Sequence, residues 1–431
     1  MEYVVFFEDI LWGLLGVPII VGLGLFFTWR SRVVQVRKFP AICREFIGFL
    51  SYREEGHGVH PLKAFFACVG GCIGIGNIVA VCTAVQIGGP GALFWLWVTA
   101  FLGMMLKYAE VFLGIRYREL LPSGEYHGGP MYFLRPLFRT PAVPRAVALL
   151  LCIYGVEIYQ FRVVTQSIVV NWEMNEFLVI GLLLGMVLFA SLGGVSRVGS
   201  ISSAIIPLFV IIYVSMGMWV LFGNYHVIPA VLGDVFIGAF TGQGAVGGAV
   251  GSALMVTLSQ GVRRGAYTGD VGIGYASVIH SESSEVVPQR QAALVIMDMF
   301  LDTFVVCTMT LMMVLVTGVW KQPLEAGQLI QAALAQYFPY MHFFMPFFLF
   351  LLGYSTINAY FIVGVRCAEY LSKEWGRCAF YLYAVAVLIL FSFANQTTTL
   401  HVMAIVGGLL LLINSYGIVR HRKEVDFSID L

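Results

Sequence analysis

Apolar runs separated by short polar and charged stretches occupy the chain from residue 9 to residue 420. The runs are apolar all round instead of alternating every second position, and they hold windows of the ~20 apolar residues a helix needs to cross a hydrocarbon layer. Eleven can be delimited, at 9–29, 64–87, 91–118, 145–172, 176–192, 199–222, 246–284, 288–320, 341–371, 376–394 and 397–419. A transmembrane barrel does not fit, because its strands are ~10 residues long and alternate in polarity. The pattern therefore predicts an all-α polytopic membrane protein. Its first run follows Glu2, Glu8 and Asp9 instead of a basic stretch, so it is expected to remain as a helix and not to be cleaved as a signal peptide.

Two runs are interrupted by residues that weaken a helix. "GGCIGIGN" (70–77) lies in the second run and "GVRRGAYTGDVGIG" (261–274) in the seventh. Setting the first helix aside leaves two groups of five, and an odd number makes the groups cross the membrane in opposite senses. Matching glycine-interrupted segments in two such halves point to an inverted-repeat transporter with its site near the midplane. The expected division is 1–63 for the first helix and a basic loop, 64–222 and 223–420 for the two repeats, and 421–431 for a tail. Close helix packing is the competing reading of Gly70 and Gly74, which are four apart. The second break at a matching place favours unwinding.

Composition agrees with a membrane protein: 59% of residues are hydrophobic and 11% charged, with a net charge of +1. The basic residues supply orientation, since Lys and Arg gather in cytoplasmic loops. Seven of them, from Arg30 to Lys63, fill the first loop, and the bias recurs in every second loop after it, at Arg116–Arg145, Arg197, Arg290, Arg366–Arg377 and Arg420–Lys423. That places the N-terminus outside and the C-terminus in the cytoplasm, and it accounts for the basic residues without nucleic acid. The eight cysteines lie mostly in apolar runs, with neither zinc-site spacing nor a disulfide frame. No HExxH, paired CxxC or phosphate-cradling GxxxxGK[ST] occurs, so neither an enzyme nor ATP drive is expected.

Unwound backbone inside a bilayer must face protein or water, and its freed groups can serve a ligand. Half-helix N-termini suit a carboxylate and freed carbonyls suit a small cation, the two needs of an amino acid carried with Na⁺ or H⁺. Ionisable residues within the runs are candidates by default. Asp270 lies inside the second break and is expected either to bind a cation or ammonium group or to pair with Arg263 or Arg264. Glu157, Gln160 and Arg162 share the fourth run; Glu157 and Arg162, five apart, do not share a face, so Arg162 is left to a carboxylate elsewhere. Asp298 and Asp302 lie on one face of the eighth run, with partners the sequence does not give. Lys107 and Glu110, three apart, are expected to form a local pair. Ser355 and Thr356 either bond back to the preceding helical turn or offer oxygens to an alkali cation.

Taken together, "GIGNIVAVCTAVQIGGPGALFWLWVTAFLGMMLKYAEVFLGIRYRE" (74–119), "GEYHGGPMYFL" (124–134), "SLGGVSRV" (191–198), "GVRRGAYTGDVGIGYASVIH" (261–280), "LDTFVVCTMT" (301–310) and "YSTINAYFIVGVRCAEYL" (354–371) resemble the alanine or glycine:cation symporters of bacteria, in order and over nearly the whole chain. The resemblance implies a leucine-transporter-type five-plus-five inverted repeat with one extra N-terminal helix, in a bacterial inner membrane. It also implies uptake of alanine or glycine, L or D, coupled to Na⁺ or H⁺, with no organic cofactor and a monomeric carrier. Gly74, Gly76, Asn77, Gln160 and Thr356 would line the substrate pocket, with Asp270, Gly272 and Tyr360 completing it. Ser355 and Thr356, facing the carbonyls near Gly71 and Cys72, would hold Na⁺. Where the family reads TxGTGN the chain has "CIGIGN", and where it reads SNEAGLGS the chain has "TGDVGIGY". These changes remove hydroxyls and oxygen ligands, which leaves the coupling ion open between Na⁺ and H⁺. A proton-coupled carrier of another small metabolite, or a sensor that binds without transporting, stand as the alternatives.

Overall fold

In the computed structural model, which describes residues 2–52, 57–241 and 250–429, the apolar runs fold as helices. Arg53, residues 246–249 of the seventh predicted run and the last two residues of the tail lie outside the described residues. The helices are α1 (Phe6–Arg30), α2 (Pro61–Cys72), α3 (Ile75–Gly88), α4 (Ala92–Arg116), α5 (Ala142–Trp172), α6 (Glu176–Ser191), α7 (Gly194–Gly223) and α8 (Ile228–Thr241) in the first part of the chain. There follow α9 (Val250–Thr268), α10 (Tyr275–Ser281), α11 (Pro288–Val316), α12 (Met341–Leu371), α13 (Gly376–Phe391) and α14 (Gln396–Arg420). Among the described residues seven helices are long and apolar enough to span a membrane, and the bent pair α2–α3 makes an eighth.

Local chemistry explains where these helices begin. Pro61 and Pro288 sit in the first turns of α2 and α11, where a missing N–H costs nothing. Asn175 and Asn395 cap α6 and α14, accepting from the N–H of Leu178 (3.2 Å) and Thr398 (2.7 Å). Among the described residues the longest helix outside the eleven predicted runs is α8, which at 14 residues is about 21 Å long and too short to span. It packs Phe236 and Phe240 on Phe94, at 5.9 and 5.2 Å between ring centres. A second short helix, Ala326–Ala335, also falls between runs.

The broken elements occupy the middle. α4 is buried along nearly its whole length and packs against α9, α10 and α11, while α2 packs on α7 and α5 on α12. The outer helices α6, α7 and α13 instead expose Phe177, Phe189, Ile211, Trp219, Leu382 and Leu390. Such exposure is unfavourable in water and expected against lipid. On the face that carries most of the basic residues, the tail folds back: Val425 is buried and Phe427 stacks on Tyr108 at 5.3 Å.

Candidate substrate and cation site

The first break is a change of backbone direction made possible by Gly74. α2 ends at Cys72, Gly74 is extended (φ −135°, ψ −160°), and a 3₁₀ turn over Ile75–Asn77 opens α3 at 47° to α2. The freed groups are held by side chains. The N–H of Gly74 donates to Asn77 Oδ1 (3.0 Å), that of Ile75 donates to Gln160 Oε1 (3.0 Å), and Thr356 Oγ1 donates to the carbonyl of Gly70 (3.0 Å). A Cβ at Gly74 would lie 2.3 Å from Thr356 Oγ1, so glycine is required by close approach.

The second break joins α9 to α10 through left-handed residues, Asp270 (φ +49°), Gly272 (φ +73°) and Gly274 (φ +105°). An aspartate can adopt this conformation, but it is uncommon away from glycine. The Asp270 carboxyl is fully buried and meets three donors: Tyr154 Oη (3.3 Å), Cys72 Sγ (3.5 Å) and, in a short contact, Tyr360 Oη. Tyr360 stacks on Tyr275 at 4.2 Å, and Tyr275 donates from its hydroxyl to the Ala67 carbonyl of α2 (3.0 Å).

Lys107 of α4 ties the breaks together. Its fully buried ammonium donates to the Gly269 carbonyl (2.9 Å), Cys72 Sγ (3.1 Å) and Asp298 Oδ2 (2.6 Å). Cys68, Cys72 and Asp298 present ligand atoms within 4.8 Å of one another, a spacing a metal ion could use. The ammonium already supplies the positive charge there and would repel such an ion.

Three expectations need correction. Asp270 does not pair with Arg263 or Arg264: Arg263 binds Glu8 (2.8 Å) and Asp9 (2.5 Å), because α1 packs its acidic start against α9. Lys107 pairs with Asp298, while Glu110 accepts from the N–H of Ser277 (3.2 Å), in the first turn of α10, and from Asn414 Nδ2 (3.2 Å). Ser355 and Thr356 do not bond back along α12; Ser355 meets Ser202 of α7 (2.8 Å) and Thr356 meets Gly70. The carbonyl that Thr356 reaches, that of Gly70, is next to the expected Gly71. A Cβ on Gly71 would point at Tyr275 Oη, and Cys72 faces Lys107 and Asp270.

The remaining candidates are distributed as follows. Gly76 is buried near Thr268 and Tyr267. Gly272 lies away from Thr356 and Gln160, beside Leu411 and Leu106, and its carbonyl accepts from Asn414 Nδ2 (2.9 Å). Asp302 sits on a π-helical stretch of α11 (Phe300–Cys307), a feature frequent at functional sites, and accepts from Asn77 Nδ2 and Thr303 Oγ1. Arg162 finds Glu176 (2.8 Å). Glu157 is buried in a third irregularity, a left-handed turn in α5 (φ +50°), with Oε2 lacking any partner among the described residues. Tyr154 escaped the sequence reading, and Lys107 entered it only as a local partner of Glu110; the signal for a wider role was a lysine in the middle of an apolar run.

Two unwound segments that face one another across a buried, carboxylate-rich centre define a secondary transporter of the leucine-transporter type, and not an enzyme. More specifically, the chain belongs to the sodium:alanine symporter family, whose profile matches residues 1–426. It is 33% identical over 393 residues to the uncharacterized transporter YflA of Bacillus subtilis (strain 168), covering 89% of this chain and 83% of that one. It is 30% identical over 408 residues to the sodium/alanine symporter AgcS of Methanococcus maripaludis, covering 91% and 87%. The inward-facing structure of Mhp1 superposes with a TM-score of 0.55 at 14% identity, over 86% of this chain and 79% of that one, a likeness of fold alone.

Proposed function

We propose that this chain imports a small neutral amino acid, alanine or glycine, in symport with Na⁺. The observation that carries the reading is Asp270, a buried carboxyl in the second break that meets only hydroxyl and thiol donors. A buried carboxylate needs a compensating charge, which a substrate ammonium or a coupling cation would supply. The substrate carboxylate would lie at the opening turn of α3, where Gly74 approaches Gln160 and Thr356, Asn77 holds the Gly74 N–H, and Gly76 lies beside Tyr267 and Thr268. A Na⁺ would lie nearby, between the Gly70 carbonyl and the hydroxyls of Ser355 and Thr356. Residues 64–222 and 223–420 would act as the two inverted repeats, with the N-terminus outside, the C-terminus in the cytoplasm and a monomer as the working unit. The sodium/alanine symporter that shares 30% identity supports the choice of ion and cargo.

Proton coupling is the second reading. It is favoured by Cys72 and Ile75, which stand where oxygen ligands would otherwise be, and by the Asp270 cluster of exchangeable protons. Uptake of radiolabelled glycine, L-alanine and D-alanine into proteoliposomes, with Na⁺ and pH gradients imposed separately, decides between them. Accumulation driven by Na⁺ alone supports the first reading and accumulation driven by pH alone the second; uptake with neither gradient overturns both.

A further inference from the structure

A cavity of about 420 Å³ opens at the end of α14 away from its basic C-terminus, lined by residues of α3, α5, α9 and α14 and by the segment Leu324–Ala326. Deep in its wall lies Arg264, 4% exposed, whose Nε and Nη1 have no partner among the described residues. A buried guanidinium without an acceptor is costly, and a carboxylate is its best geometric match. Most nearby acids are engaged elsewhere, and Glu157, buried in α5 with Oε2 unpartnered, makes no hydrogen bond to Arg264 among the described residues. Glu8 and Asp9 hold Arg263, the second Glu8 oxygen meets His401, and Glu176 holds Arg162. The one carboxylate in the cavity lining is Glu325, exposed at the rim and without a side-chain hydrogen bond among the described residues.

We propose that this cavity is a second, outer site for the zwitterion of an amino acid, with its carboxylate on Arg264 and its ammonium toward Glu325. The inference rests on the amino-acid reading above and adds a stage to it. Tyr159 lines the cavity, and the next residue, Gln160, holds the Ile75 N–H in the first break. The cavity wall and the support of the first break thus share one helix, α5. Tyr267, whose ring faces Gly76, lies on the same helix as Arg264, one turn short of the second break.

The test uses the full-length transporter in proteoliposomes and purified in detergent. Arg264→Gln should raise KM for alanine by about tenfold or more while leaving the saturating rate within about twofold, and Arg264→Lys should recover part of the loss. Propionate, a bare carboxylate, should inhibit wild-type uptake and raise its melting temperature, and should do neither in Arg264→Gln. Glu325→Gln should narrow the preference for alanine over propionate. An unchanged KM and unchanged propionate inhibition in a normally folded Arg264→Gln would overturn the proposal, as would chloride or sulfate matching propionate. A fall in melting temperature and rate without a change in KM would assign Arg264 a structural role and likewise overturn it. Should wild type accumulate neither alanine nor glycine, the symport reading fails on its own; alanine- and propionate-induced stabilisation, lost in Arg264→Gln, then decides the outer site.

Discussion

Removal of the Lys107 ammonium is the most discriminating perturbation of the centre. At 2.6 Å from Asp298 Oδ2, the attraction is about 6 kcal/mol at an effective permittivity of about 20, set against a desolvation cost of several kcal/mol for each ion. The pair itself is therefore close to balanced, whereas either member alone is not. Lys107→Met should cost about 3–5 kcal/mol by stranding the Asp298 carboxylate. The double variant Lys107→Met, Asp298→Asn should recover most of that. A residue of about 1–3 kcal/mol should persist, because the Gly269 carbonyl, 2.9 Å from the ammonium, stays unpaired in both. Thermal denaturation in detergent, followed by loss of the monodisperse peak, gives the order of stability: wild type, then double, then single variant. Uptake should fail in the single and the double variant alike, since neither holds the end of α9 against Cys72. If Lys107→Met melts with wild type, or the double variant is no better than the single, the ammonium is not the tie between the breaks.

Asp270→Asn should abolish cation-driven accumulation while preserving the fold, because an amide still accepts from Tyr154 and Tyr360; unaltered uptake and ion dependence would remove Asp270 from coupling. Gly71→Ala should be inactive and destabilised by about 1–3 kcal/mol, since its Cβ would fall 1.9 Å from Tyr275 Oη and 2.4 Å from Cζ and displace the ring on which Tyr360 stacks. Gly76→Ala, whose Cβ meets nothing nearer than 3.4 Å, should fold normally, and equal melting temperatures for the two would contradict the packing argument. His127, in the loop after α4, is held below its ordinary value by burial and by the Arg366 cation, despite the opposing pull of Glu369 and Glu125. The folded state thus favours the neutral ring, so its contribution is full above about pH 6.5 and is lost as pH falls toward the depressed value. Melting curves from pH 7.5 to 5 should fall more steeply for wild type than for His127→Gln, and parallel slopes would refute the assignment.

The spans were legible because lipid leaves the backbone few choices, and a run of apolar residues of the right length has one stable outcome. The breaks were legible because glycine runs near 70–76 and 269–274 recur at matching places in the two groups of five runs, which helix packing alone does not require. Pairing was not legible. Three-residue spacing draws Lys107 toward Glu110 on an isolated helix, yet in the bundle its neighbour is Asp298, 191 residues away, and Glu110 turns to the start of α10. Arg263 finds Glu8 and Asp9 across 255 and 254 residues for the same reason. Short-range rules describe a helix facing water, where a partner must come from the same helix; inside a bundle the partner comes from whichever helix is packed against it.

That distinction bears on coupling. Lys107 is anchored on Gly269, and the next residue is Asp270, so the position of the Asp270 carboxyl is referred to a fixed internal cation. Among the donors that reach it, only neutral hydroxyls and a thiol touch Asp270 itself. On the symport reading, Lys107 being held by Asp298, the charge that touches Asp270 directly arrives with the cargo, as an ammonium, a Na⁺ or a proton, and leaves with it. A ligand shifts a conformational equilibrium only by its differential affinity for the two states. An arriving positive charge that relieves Asp270 in one arrangement of the breaks, and not in the other, would provide that difference.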